Sequence, residues 1–178
     1  MPARIMPEPR GPEERLQPAL LDRLTDDEPG KKVEPREARV FSKRRLRQAV
    51  LRDLAWLFNS TRLESTDDLS RTPLVRGSVV NFGLPALSGT TASSFDITDL
   101  AKSIREAIIN FEPRILPATL HIKTLIESGQ LDHHNVVGVE IRGNLWAQPV
   151  PIEFLVRTEI DLETGNVQVT DLNSSQVV

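Results

Sequence analysis

Residues 96–115 read DITDLAKSIREAIINFEPRI, and their spacing decides the fold class. Ile97, Leu100, Ala101, Ile104, Ala107, Ile108 and Phe111 recur at three- and four-residue steps. Lys102, Ser103, Arg105 and Glu106 fill the other side, so the stretch predicts an amphipathic helix. Asp96 suits the N-cap, and Asp99 sits in the first turn, where the helix dipole favours a carboxylate. Pro113 ends the helix because it lacks an N–H and disfavours the helical region at Glu112.

Downstream the apolar period changes from helical to two. Ala118, Leu120, Ile122 and Ile126 alternate with Thr119, His121 and Lys123, less regularly at Leu125. Val137, Val139, Ile141 and Leu145 alternate with Glu140, Arg142 and Asn144. Ile152, Phe154, Val156 and Ile160 alternate with Glu153, Arg157, Glu159 and Asp161. Glu163-Thr164-Gly165-Asn166 then turns the chain into Val167 and Val169. Alternation of this kind predicts an antiparallel sheet of about four strands, apolar on one face and solvated on the other.

Upstream, a second amphipathic helix is expected to run from about 36 to 58. Leu46, Val50, Leu54, Leu57 and Phe58 form its stripe, with Ala49 and Trp56 widening it. Two such helices can cover one face of the sheet, which gives an α+β domain over residues 36–172 with a tail at 173–178. Residues 59–95 show no sustained period, and VVNFGLP (79–85) is an apolar island expected to pack part of that stretch down. Seven of the 13 prolines fall in residues 1–35, mixed with charges, so that segment is expected to be a flexible extension. Within it Leu16, Leu20, Leu21 and Leu24 recur at helical spacing, which predicts a short docking helix near 18–25.

Composition narrows the chemistry. The 178 residues carry 22 Lys+Arg against 25 Asp+Glu, a net charge of −3, which does not suit a general nucleic-acid binder. The basic run Lys43, Arg44, Arg45, Arg47 and Arg52 lacks interleaved exposed aromatics and reads as a solvated helix face or an acidic-partner surface. Cysteine is absent, which excludes disulfides, thiol catalysis and Cys-based metal sites. His133 and His134 are adjacent and would point apart on a strand, and His121 has no ligand motif beside it, so no metal site is expected. No run reaches the roughly 18–20 apolar residues of a spanning helix, and the N-terminus lacks a signal-peptide apolar region. A cytoplasmic protein without membrane insertion is therefore the expectation. Glycoside hydrolysis would need two carboxylates flanking a cleft. Asp96, Asp99, Glu106 and Glu112 instead occupy helix starts, a solvated face and a helix end. Among the eight aromatics, Phe58, Phe111, Trp56 and Phe154 fall on expected core faces, and Trp146 and Phe82 are the main spares for a sugar platform. No catalytic residue and no cofactor are expected.

The ordered set VVNFGLP, DITDLAKSIREAI, Glu112-Pro113-Arg114 closing the helix, and the terminal DLETGNV hairpin resembles the TssE family of type VI secretion systems. That family is related to the baseplate wedge proteins of contractile-tailed phages, and the resemblance spans roughly residues 16–172. It implies a structural subunit of a cytoplasmic baseplate, joined to the wedge proteins TssF and TssG. It also implies a platform on which the TssB/TssC sheath begins, with strands passing between neighbouring subunits. Glu112, Pro113 and Arg114, with Asn81, Phe82 and Gly83 of the NFG loop, are the implied partner-binding residues. Without the resemblance, the residues alone support a generic α+β interaction module, with a peptidoglycan glycosidase as the enzymatic alternative.

Overall fold

A computed structural model describes residues 15–16, 18–25, 29–30, 42–87, 97–125 and 136–173. In chain order the elements are β1 (Arg15–Leu16), α1 (Leu20–Leu24), α2 (Lys43–Phe58), α3 (Pro73–Arg76), α4 (Ile97–Phe111), β2 (His121–Leu125), β3 (Val136–Leu145), β4 (Ala147–Gln148), β5 (Ile152–Asp161) and β6 (Val167–Asp171). Single 3-10 turns lie at Leu63–Ser65, Val79–Asn81 and Pro117–Thr119. Asp96, His133, His134, Ile126 and residues 36–41 lie outside the described residues, and α2 starts at Lys43 rather than near 36 because Ser42 is an extended N-cap whose hydroxyl accepts from Arg45 N.

The α+β architecture is as the periodicity predicts. Four strands form one antiparallel sheet in the order β2-β3-β5-β6. Along β3 and β5 burial alternates: Val137, Val139, Ile141 and Leu145 with Phe154, Val156 and Ile160 are buried, while Arg142, Glu153, Arg157 and Glu159 are exposed. The buried face meets both helix stripes, Leu46, Val50, Leu54, Leu57 and Phe58 from α2 and Leu100, Ile104, Ala107 and Ile108 from α4. Helix α2 packs over β6 and α4 over β2. Thr158 is fully buried on this inner face and is satisfied: its Oγ1 donates to the Val139 carbonyl at 3.1 Å.

Three expectations are corrected. Trp56 lies off the buried stripe of α2 and is 52% exposed, with the Arg52 guanidinium over its ring. On α1, Leu20, Leu21 and Leu24 are exposed. In VVNFGLP, Leu84 is buried and Phe82 packs against the core, yet Val79 and Val80 face outward on the 3-10 turn. The segment 59–87 is built from short helical turns rather than being structureless.

Candidate functional site

The end of α4 is where most elements converge. Pro113 stops the helix, and the chain turns: Arg114 donates its backbone N–H to Glu112 Oε1 at 3.2 Å. The Arg114 carbonyl then accepts from Trp146 N at 2.7 Å, and Leu116 N donates to Asn144 O at 2.9 Å. The Glu-Pro-Arg turn therefore fixes the helix end to the end of β3.

Both side chains turn inward. Glu112 and Arg114 are 3% and 6% exposed. Arg114 Nε donates to Glu112 Oε1 at 2.6 Å, and Nη2 donates to Glu112 Oε2 and to Asp53 Oδ2. Its Nη1 lies 3.7 Å from Asp22 Oδ2. Arg52 completes the group, reaching Asp22 Oδ1 and Asp53 Oδ1 at 2.8 Å each. Two guanidiniums thus meet three carboxylates drawn from α1, α2 and the end of α4. Burial works against the charge on Arg114, and the bonds and charges of Glu112 and Asp53 more than offset it, so its pKa is raised. Arg52 follows the same pattern with Asp53 and Asp22. The Arg52 guanidinium also sits 5.1 Å from the Trp56 ring centroid, within cation–π range.

An open groove of about 670 Å³ runs beside this cluster. Trp56 and Leu57 of α2, Phe82, Phe111 and Pro113 form its apolar wall, and Leu16, Pro18 and Arg23 its rim. Phe82 meets Phe111 edge-on, with ring centroids 5.3 Å apart.

The six residues implied as partner-binding therefore divide. Phe82 and Pro113 present surface in the groove. Glu112 and Arg114 line it from below while engaged within the chain. Asn81 is buried and closes its own loop, accepting from Glu64 N at 2.9 Å and donating to the Arg76 carbonyl at 3.0 Å. Gly83 has φ +128°, and a Cβ there would lie 2.3 Å from the Ser60 carbonyl oxygen. Leu84 N bonds that same oxygen, and Arg62 N bonds Leu84 O. The NFG loop thus depends on Asn81 and Gly83 to hold Phe82 in the groove.

The remaining candidates are placed simply. Asp99 is exposed and pairs with Lys102 at 2.9 Å; Glu106 and His121 are exposed. Glu112 shares one guanidinium with Asp53, a charge-balancing arrangement. In the basic run, Arg47 donates to the Glu153 carbonyl at 2.8 Å, tying α2 to β5, and Arg52 belongs to the buried cluster.

Comparison with protein families gives a match to the model described as baseplate wedge protein gp25, over residues 44–150. The chain belongs to the gp25 (TssE) family. The matched span runs from α2 to just past β4 and includes the NFG loop and the Glu-Pro-Arg turn. Comparison with curated proteins and with solved structures gives no match. The gp25 family is structural and associates with other baseplate proteins, so this chain is a baseplate-type structural protein. Among the described residues, no helix is long and apolar enough to cross a membrane.

Proposed function

We propose that this chain is a non-enzymatic wedge subunit of a type VI secretion baseplate on the cytoplasmic face of the inner membrane. It joins TssF- and TssG-type proteins through the groove at the end of α4 and offers a sheet edge to the TssB/TssC sheath. Membership of the gp25 family carries the baseplate part of this reading. Available backbone groups at the sheet edges support the sheath part. Asn144 O faces the β2 side, where it accepts from Leu116 N, so on β3 the even-numbered residues face β2. Their partners His121, Lys123 and Leu125 turn inward, leaving Leu120, Ile122 and Thr124 to direct N–H and C=O outward. Arg105 covers the Leu120 carbonyl. At the other edge, Asp161 N bonds Asn166 O and Leu172 N bonds Leu155 O, so Val167 and Val169 face outward. Asn59 bonds both backbone groups of Val167. The stretches at Ile122–Thr124 and at Val169 suit an added strand, which gains backbone hydrogen bonds largely independent of side chains.

Thr124→Pro and Val169→Pro each remove an outward N–H while sparing the internal ladder. At the edge that receives the sheath, the substitution is expected to stop sheath growth while co-purification with TssF- and TssG-type proteins persists. Normal sheath assembly with both substitutions together would overturn the strand-addition reading. Failure of the folded wild-type chain to co-purify with the wedge proteins would overturn the wedge reading.

A further inference from the structure

Residues 15–16 and 18–24 are attached to the domain with little apolar burial. Helix α1 has no buried residue, and Leu20 and Leu24 are 69% and 73% exposed. Among the described residues, the attachments are a two-residue antiparallel pairing, Arg15↔Gln148 and Leu16↔Ala147, the half-buried Leu16, and the carboxylate of Asp22. Asp22 is the inward-facing group: its side chain is 6% exposed and meets both Arg52 and Arg114. Taking one partner out of a buried ion pair is costly, so this carboxylate is the segment's main polar hold on the domain. The segment is thus held by groups that another peptide can supply.

The cluster itself has room for a better ligand. Among the described residues, the buried Arg114 Nη1 has no hydrogen-bond partner, even with Asp22 in place. A guanidinium that has lost its water without gaining a bond favours a competitor that brings an acceptor within reach. Without Asp22 the cluster would hold Arg52 and Arg114 against Asp53 and Glu112, a neutral group with two guanidiniums facing the open side. That arrangement selects an acidic replacement.

We propose that residues 15–24 are the resident occupant of an exchangeable docking site. The partner segment that replaces them carries the same chemistry: a short extended stretch that pairs with β4, followed by a helical turn that presents a carboxylate to Arg52 and Arg114. The identity of that partner rests on the wedge-subunit reading; the exchange does not.

The test uses a labelled peptide of residues 13–27, EERLQPALLDRLTDD, added to the full-length chain and followed by fluorescence anisotropy. Asp22→Asn in the chain keeps an oxygen for the Ala19 N–H, bonded at 3.1 Å, while removing the charge. The peptide is expected to bind this variant about tenfold more tightly than wild type. A peptide carrying Asp22→Asn itself is expected to bind neither chain. Leu16→Ser in the chain, which loosens the segment and leaves every charge in place, is expected to raise binding in the same direction. Amide exchange in residues 20–24 is expected to be faster than in α2 and α4 of wild type. Equal peptide binding to wild type and both variants, or none to any of them, would overturn the proposal, as would exchange in α1 as slow as in α4. Because the probe is the chain's own segment, these outcomes are independent of whether baseplate proteins bind.

Discussion

Arg114 satisfies a carboxylate two residues away and another on a different helix, so its loss has consequences in both directions. Arg114→Ala leaves Glu112, 3% exposed, without its countercharge. Glu112→Ala leaves a buried guanidinium bound to Asp53 alone at short range. Removing one partner of a buried pair costs about 3–5 kcal/mol, and each substitution is expected to lower unfolding free energy by that order in urea titrations. A loss under about 1 kcal/mol would place the pair among ordinary surface contacts. It follows that defects in baseplate assembly caused by these two substitutions need a stability measurement beside them. The sequence makes Glu112 and Arg114 visible as the close of a perfect amphipathic helix, but not their partners on other elements. Asp53 is 61 residues from Arg114 in the chain. One signal was present: Asp53 lies three residues after Val50 and four before Leu57, on the apolar stripe's own spacing. A carboxylate on that face requires a cation from elsewhere in the fold.

At the scale of elements, two turns carry conformational demands that their residues meet. Gly83 is one, since its positive φ and the nearby Ser60 carbonyl leave no space for a side chain. Gly83→Ala is expected to cost more than the roughly 1–2 kcal/mol of a left-handed alanine, because the clash is with backbone. A shift in thermal midpoint, together with altered fluorescence of the nearby Trp56, would report displacement of Phe82; an unchanged midpoint would contradict this. The hairpin between β5 and β6 is the other. Asp161 Oδ1 accepts from the backbone N–H groups of Thr164 and Glu163, in that order of effect, and its pKa lies below the ordinary 3.8. A depressed carboxylate contributes stability above its unfolded value and loses it as pH falls through its folded value. The advantage of wild type over Asp161→Asn is therefore expected at neutral pH and should shrink below pH 3.8 in acid-unfolding curves. An advantage that grew on acidification would reverse the sign and sink the assignment. Helix α4 and the strands were legible because one period governs each of them. Trp56 and the outward valines of the NFG loop were not, since apolar identity does not say which side of a short turn meets the core.

For the molecule as a whole, a one-sided sheet needs its edges managed. Asn59, at the end of α2, bonds Val167 N and Val167 O at 2.9 Å each and so closes one end of the β6 edge. Asn59→Ala is expected to leave the fold intact while raising self-association, measured by light scattering against concentration. A variant as monodisperse as wild type would show that this edge is protected by other means. The layered architecture follows from the sequence pattern, whereas the strand order and the state of each edge do not. Edge protection here comes from single side chains, Asn59 and Arg105, donated by helices that cross the sheet.

The pleat of that sheet also imposes a grammar on any chain that would join it. At the β2 edge, Ile122 and Thr124 turn their backbone groups outward and sit opposite Ile141 and Val139, both fully buried on the helix-covered face. A strand hydrogen-bonded to them must place its own directly paired residues on that same covered face, and the residues between them beside His121 and Lys123 in solvent. Its sequence must then read apolar, polar, apolar, with acidic residues favoured at the polar positions near Lys123. A candidate strand shifted by a single residue presents the wrong half of its side chains, so the register of an assembly built on this edge is written into the recruiting strand before it arrives.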